Sequence, residues 1–529
     1  MVDMLTPLFV ILCPLIAASL ILLLGKWPNV REGVAIAAGI ATFSLVLSMI
    51  NPILGADVIR CTFSQTLFEG LKVGLKVDAF GMLFALTSSS LWILVTIYSI
   101  GYMRSLKEHA QTRFFFSFAL AIFGALGIAM SANLVTMFIF YEILTVSTYP
   151  LVIHDQTAEA LSAGHKYFAY LLTSGCFFLF GVMMVYYLTG TTDFTNGGIA
   201  VLATKLKLNP AFKWTLIILF VCFLLGFLKA AWMPFHSWLP TAMVAPTPVS
   251  ALLHAVAVVK AGVFGIVRIV CYIYGVDLMR NVYVVYEPIN LGLALACIAG
   301  FTMIVSNLFA IAQDNLKRRL AYSTINQLSY ILLGAALLTE EGVKGAMMHI
   351  PFHGYMKITL FLCAGAIMVA TGKKNISEMA GIGKTMPVTT MAFSVCALGM
   401  CGIPPVVGFI SKWFLCMGSY AAAYGTIRPS PVMIIFLFVL LIASLLDVVY
   451  FFPIILTAYF KDPEGVVGEP EVKEAPPSVV IPLAITATFS VIFFLAFILR
   501  PVEILAPYVD MLSMHIYDLV DIAVGNVFT

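Results

Sequence analysis

Apolar residues fall in long runs along this chain, and polar residues gather in short stretches between them. Runs of about twenty apolar residues, the length that crosses a bilayer core of about 30 Å, begin near Met4, Gly33, Ala79, Phe114, Asn133, Gly164, Trp214, Val249, Asn290, Leu320, Gly345, Val388, Met433 and Val479. The pattern predicts fourteen membrane-spanning helices, some joined by connections as short as Ser131–Ala132. The longest polar stretches, Asn51–Val77, Thr189–Lys213 and Lys461–Ser478, read as loops. The first run, Met4–Leu24, has no basic segment before it and exceeds the core of a signal peptide, so it reads as a retained membrane helix.

Composition agrees and narrows the class. Of 529 residues, 61% are hydrophobic and 10% charged, with mean hydropathy +1.03. Soluble domains carry roughly 25% charged residues. A soluble enzyme and a disordered chain are therefore excluded, and the long runs exclude a porin-type barrel. A net charge of +3 gives no reason to expect nucleic acid as a partner. The ten cysteines are scattered singly, without a CxxC pair or a Cys/His cluster. No disulfide framework, iron–sulfur, zinc or haem site, and no other metal or cofactor, is expected.

Lys and Arg set the expected orientation. With the N-terminus outside, fourteen basic residues face the cytoplasm, including Lys317-Arg318-Arg319 and Lys373-Lys374, and ten, including Arg60, Arg280 and Arg428, face out. Both termini are thus expected outside. The remaining five of the 29 basic residues lie inside apolar runs: Lys229, Lys260, Arg268, Lys357 and Lys412. Glu142 and Asp447 are buried acids, and Asp78 sits at the mouth of the third helix. A charge at mid-bilayer costs about 2.5–3.5 kcal/mol on insertion scales, so such groups mark an ion pathway by default.

Each has a plain and a chemical reading. Glu142 either orients a neighbouring helix or pairs with a buried lysine, since no local cation shares its face. Lys229 precedes Pro234 by five residues, so its helix should break there and leave carbonyls free; snorkelling to an interface is the alternative. Lys260 lies too deep to snorkel, whereas Arg268, near its helix end, can. His254 either passes a proton or is a hydrogen-bonded core residue. His349, His353 and Lys357 recur at intervals of four on one helix face, as a hydrogen-bonded file or as polar glue. Lys412 follows the Pro404-Pro405 break much as Lys229 accompanies its own, and Asp447 is placed to pair with a cation.

Several stretches carry a family resemblance: FYE around Glu142, TGTTDF (Thr189–Phe194), FLKAAWMPFHSWLP (Phe227–Pro240), PTPVSALLH (Pro246–His254) with Lys260, LKRRLAYSTINQLSY (Leu316–Tyr330), HGYMKITLFLCAGA (His353–Ala366) and GIPPVVGFISK (Gly402–Lys412). The chain resembles the antiporter-like membrane subunits of respiratory complex I and of Mrp-type multisubunit cation/proton antiporters, which also occur in membrane-bound hydrogenases. Its wording is most similar to the Mrp D-type subunit. The resemblance implies an all-α polytopic fold of about fourteen helices with two inverted five-helix repeats containing discontinuous helices. Residues 1–113 would hold helices one to three, 114–272 the first repeat, 288–460 the second, and 461–529 helix fourteen and a tail, without the long lateral helix of the largest complex I member. It also implies a Glu142–Lys229 pair, a central Lys260 and a terminal Lys412.

The expected function is proton translocation within a multisubunit cation/proton antiporter. Glu142, Lys229, His254, Lys260, His353, Lys357 and Lys412 would carry the protons, and other membrane subunits, protons with Na+ or K+, and the lipid bilayer of a prokaryotic inner membrane would be the partners. Two alternatives stay open. One is the same role in a redox-driven complex I-like NADH-quinone oxidoreductase or hydrogenase, to which this chain would bring no redox centre. The other is a scaffold subunit with dead channels.

Overall fold

The computed structural model describes residues 5–55, 57–68, 71–284, 289–425, 429–461, 473–501 and 506–528. Among them, eleven helices are long and apolar enough to cross a membrane, and with the shorter apolar helices Pro210–Gly226 and Pro387–Cys401 and the more polar Leu316–Ala336 they run in chain order as α1 (Thr6–Leu23), α2 (Pro28–Leu54), α3 (Ala79–Ser105), α4 (Gln111–Ala129), α5 (Leu134–Val152), α6 (Ala158–Thr189), α7 (Pro210–Gly226, continued irregularly to Val244), α8 (Thr247–Tyr274), α9 (Leu291–Ile311), α10 (Leu316–Ala336), α11 (Glu340–Thr371), α12 (Pro387–Cys401, resumed at Gly408–Tyr424), α13 (Pro431–Phe460) and α14 (Pro477–Leu499). The fold is a polytopic helical bundle, as the runs predict. Side chains such as Phe438, Leu441 and Leu445 on α13 point outward, as a lipid-facing surface requires.

Short connections work because polar caps end the helices cleanly. Asn133, Asn290, Asn315, Thr157 and Thr339 each accept a backbone N–H from the first turn they precede. Two polar stretches are more ordered than the loops expected of them. Asn51–Val77 contains an antiparallel hairpin, β1 (Ile59–Phe68) with β2 (Leu71–Val77), and Thr189–Lys213 contains a short helix, Ala200–Leu208. Residues 462–472, most of the third stretch, and Arg428 lie outside the described residues. The C-terminal helix Ile516–Phe528 reaches the hairpin face, where Asn196 donates to Asn526, and α1 also begins beside the hairpin. Both described ends thus sit on one face.

Three helices are irregular in mid-span. After α7, Ala231 is left-handed (φ 53°) and Pro234 has no N–H. Side chains satisfy the freed groups: Ser174 donates to the Gly226 carbonyl (2.6 Å), Trp232 to that of Leu224 (3.1 Å), Trp238 to that of Leu228 (3.1 Å), and Thr302 accepts from Met233 N–H (3.1 Å). In α8, a π-helical turn spans Leu252–Val256, and Ser88 donates to Val256 (3.1 Å). In α12, the chain breaks at Pro404-Pro405 and the Val407 N–H crosses to the Ser490 carbonyl (3.1 Å).

Arg268 does not snorkel. It is 1% exposed and forks onto Asp78, with Nη1–Oδ2 at 2.7 Å and Nη2–Oδ1 at 2.6 Å. Asp78 also caps α3 by accepting Gly81 N–H (2.8 Å), and Lys76 lies 4.0 Å away. An arginine at this depth cannot lose its proton, so it holds a carboxylate instead. Burial pushes the Asp78 carboxyl up, but the guanidinium more than offsets this and holds it below the usual carboxylate range. Asp78→Asn should lower stability by about 3–5 kcal/mol, read as thermal unfolding of the purified protein. A carboxyl lowered in the folded state stabilises it above the unfolded value, so the gap between wild type and variant should shrink as pH falls below about 4.

Candidate functional site

The buried ionisable groups form a line through the bundle, built mainly on α11. The helix face that carries His349, His353 and Lys357 turns inward against α8, α10 and α12, and all three side chains are fully buried. Lys260 on α8 meets this line first. Its Nζ lies 2.7 Å from His353 Nδ1. The His353 ring stacks on that of His349, with centroids 5.8 Å apart and an angle of 25°. His349 continues outward through Nδ1 to Ser411 Oγ (2.8 Å) and through Nε2 to Gln327 Oε1 (3.1 Å). Gln327 donates to Asp447 Oδ2 (2.8 Å), which also receives Lys412 Nζ (2.9 Å).

Lys357 joins the same acid by a second branch. Its Nζ donates to Ser323 Oγ (2.7 Å), that oxygen lies 2.9 Å from the Tyr450 hydroxyl, and the hydroxyl gives its one proton to Asp447 Oδ1 (2.7 Å). Asn326 adds a bond to Oδ1 at 2.7 Å. Asp447 is 0% exposed, and its two oxygens take four donors in all. That saturation is what a carboxylate needs at this depth. Lys412 also donates to the Met400 carbonyl at the α12 break (2.6 Å) and to Ser444 Oγ (3.1 Å).

The first half of the molecule is arranged differently. Lys229 lies in the irregular turn after α7, fully buried, with Nζ 2.5 Å from the Tyr141 carbonyl and 3.2 Å above the Tyr141 ring centroid. Glu142 is the next residue along α5, yet neither carboxyl oxygen has a hydrogen-bond partner. Gly175 on α6 leaves the space this carboxyl fills, because a Cβ there would collide with it. The expected pair is therefore adjacent but open: Lys229 bonds to a carbonyl and a π face in place of the carboxylate. Gly262 on α8 lies so close to the Lys229–Ala230 backbone that a Cβ would clash, which fixes the two lysine-bearing segments against each other.

His254 stands apart from the line. Both ring nitrogens lack partners, and the ring tilts against Phe361 at 4.7 Å. Near the start of α8, a cavity of about 210 Å³ is lined by Tyr102, Glu108, Thr247, Lys317 and Lys374. Burial, and then the neighbouring Asp155 carboxylate, pushes the Glu108 carboxyl above its ordinary value. Lys317 reaches across to the Ala245 carbonyl (2.6 Å), so one member of the basic cluster also ties α10 to the start of α8.

The structure thus brings together Lys260, His353, Lys357 and Lys412 of the expected residues, leaves Glu142 and Lys229 adjacent but open, and leaves His254 unconnected. Sequence reasoning ranked His349 as glue or file and Asp447 as a pairing acid, and it did not single out Ser323, Asn326, Gln327 or Tyr450. Ser323, Asn326 and Gln327 lie three and four residues apart on one face of α10, a spacing that an apolar span does not otherwise need.

Comparison with known proteins agrees with this architecture. Residues 131–442 match the family described as NADH:quinone oxidoreductase/Mrp antiporter, TM, and residues 69–115 match NADH-Ubiquinone oxidoreductase (complex I), chain 5 N-terminus. A polytopic membrane protein related to subunits of respiratory and antiporter complexes is the class these matches define. The chain belongs to the NADH:quinone oxidoreductase/Mrp antiporter family. It is 33% identical to the NADH-quinone oxidoreductase subunit N of Desulforudis audaxviator over 69% of this chain and 68% of that one. It is 31% identical to the putative antiporter subunit mnhA2 of Staphylococcus aureus over 76% of this chain, but that match spans only half of the relative's length. The fold is similar to a chain in the Mrp complex from Dietzia sp. DQ12-45-1b, with TM-score 0.80, 19% identity and 99% of both chains covered. It is also similar to a chain of the membrane-bound sulfane sulfur reductase, an archaeal respiratory membrane complex, with TM-score 0.78, 23% identity, and 99% and 100% covered.

Removing one member of a buried pair costs more than removing both. Asp447→Asn should lower stability by about 3–5 kcal/mol, and adding Lys412→Met should restore a large part of that loss. Thermal unfolding of the two single variants and the double variant in detergent measures the difference.

Proposed function

We propose that this chain is a proton-translocating subunit of a multisubunit cation/proton antiporter. The observation that carries the reading is the buried line from Lys260 to Lys412: Lys260 contacts His353, whose ring stacks on His349, and hydrogen bonds run on from His349 through Gln327 and Asp447 to Lys412, with Lys357 joined through Ser323 and Tyr450. A scaffold has no use for a line of costly buried groups linked end to end.

The residues divide the work. Lys260 and His353 exchange a proton across their short contact. The imidazoles of His353 and His349, with two nitrogens each, can take a proton on one side and release it on the other. Asp447 holds Lys412 charged, and it competes for Lys357 through Tyr450 and Ser323. At the other end, closing the open Glu142–Lys229 pair sets the electrostatics. Two unit charges about 4 Å apart at an effective dielectric near 20 interact by about 4 kcal/mol. That is enough to move the proton affinity of a neighbouring group by about three pH units, so opening and closing the pair changes the charge that Lys260 feels and pushes a proton from Lys260 toward Lys412. His254 serves as the access group, about two turns along α8 from the cavity at Thr247, with both nitrogens free to bond water. The moving partner ion, Na+ or K+, and the neighbouring membrane subunits complete the exchange. Both termini are read as outside a prokaryotic inner membrane, a reading that the denser basic clusters Lys317-Arg318-Arg319 and Lys373-Lys374 support.

The kinship with NADH-quinone oxidoreductase subunit N favours a second reading, in which the same line serves a redox-driven complex. Purifying the native assembly decides between them: iron–sulfur and quinone-reducing subunits indicate the redox complex, and small Mrp-type subunits indicate the antiporter.

In vesicles reconstituted with the purified complex, Lys260→Ala and Lys412→Ala should each cut proton movement by about a hundredfold or more, measured with a pH-sensitive dye. A complex that pumps normally with both changes would sink the mechanism. Gln327→Leu, which separates His349 from Asp447, should slow proton movement while leaving assembly intact on size-exclusion chromatography.

A further inference from the structure

Away from the ionisable line, two loops on the face that carries Lys317 bring three metal-ligating side chains together. Glu108 and His109 lie between α3 and α4, and His154 follows the end of α5. One donor atom from each side chain lies within 4.8 Å of the others. The His109 and His154 rings sit 4.8 Å apart at 33°.

His154 makes this more than a chance cluster. Its side chain is 0% exposed, and neither ring nitrogen has a hydrogen-bond partner. Leaving a buried polar group unpaired costs about 1–3 kcal/mol, and proteins rarely leave both nitrogens of an imidazole so. Arg113 donates to the His154 backbone carbonyl (2.8 Å), not to the ring. A ring edge of Phe114 packs against it at 5.9 Å, which fixes the ring without satisfying it.

We propose that Glu108, His109 and His154 bind a divalent zinc ion. Two neutral imidazoles and one carboxylate are a donor set suited to zinc, whereas calcium and magnesium favour oxygen donors alone. Tetrahedral zinc with bonds of about 2.0–2.1 Å sets its donors roughly 3.3 Å apart, so the three groups need to close by about 1–1.5 Å. Glu108 and His109 have room to do so, because His109 is exposed and Glu108 half-buried. The fourth position is left to water. The charge balance is favourable on one side and opposed on the other: the Glu108 and Asp155 carboxylates repel each other without a cation, whereas the Arg113 guanidinium lies near His154. Glu108 also lines the cavity at the start of α8, so a bound zinc would sit beside it.

The test uses the purified full complex, stripped with a chelator, re-equilibrated with micromolar zinc and passed through a desalting column. Metal content is read by mass spectrometry, and the bound ion by X-ray absorption at the zinc edge. Wild type should retain one zinc more per copy of this chain than His109→Ala or His154→Ala, and its spectrum should contain two imidazole ligands that the variants lack. Glu108→Gln should weaken binding by about tenfold or more, and His165→Ala, an exposed histidine on α6, should change nothing. His154→Ala alters a buried position, so His109→Ala, at an exposed one, carries the decision if the former fails to fold. Equal zinc in wild type and His109→Ala, or no zinc held by the wild type, would overturn the proposal.

Discussion

The organising constraint is that a bilayer offers no water to backbone or charge, so everything polar must be answered from within the protein. Most of this chain meets the demand with regular helices. The breaks beyond α7 and within α12 cannot. There the freed carbonyls are taken by Ser174, two indoles and Lys412, which bonds that of Met400, while Lys229 reaches from the break to the Tyr141 carbonyl of the neighbouring helix α5. The broken helices and the buried charges are one problem with one solution. At the α12 break the irregular backbone supplies an acceptor for its lysine, and at the break after α7 the irregular turn brings its lysine within reach of one on α5.

The same constraint explains why the ionisable line crosses between helices instead of running along one. An ammonium needs several acceptors, and a carboxylate several donors. No single helix presents so many to one point. Asp447 on α13 gathers Asn326 and Gln327 from α10, Lys412 from α12 and Tyr450 from one turn along α13. The first half lacks an equivalent gathering: Glu142 has no donors, and Lys229 relies on a carbonyl and an aromatic face. The two halves share a break beside a lysine but sit in different electrostatic states.

Much of this could be read from residue order. The long apolar helices follow from run length, and the breaks beside Lys229 and Lys412 follow from Pro234 and Pro404-Pro405. Contacts between distant segments were harder. Arg268 near a helix end looked able to snorkel, because nothing local shows that Asp78, 190 residues earlier, lies against it. Ser323, Asn326 and Gln327 are uncharged, so a search for costly charges passed over them, although their spacing on one face of α10 marks a polar stripe. The packing of His254 against the Phe361 ring is a contact that no local spacing shows. The hairpin Ile59–Val77 was hidden because a short polar segment carries little periodicity. Glu108, His109 and His154 escaped any motif because two loops supply them.

The Met400 carbonyl has one further consequence. Gln327 Nε2 reaches it only at 3.4 Å, so the Lys412 ammonium is its main donor at the α12 break. When Lys412 gives up its proton, the neutral amine keeps two N–H groups but loses the charge that strengthens this bond, so the break loses part of its support. Charge state and helix shape are then mechanically linked: each loading and unloading of this lysine would flex α12, and the flex could be felt by whatever subunit lies against its exposed Trp413 and Tyr420.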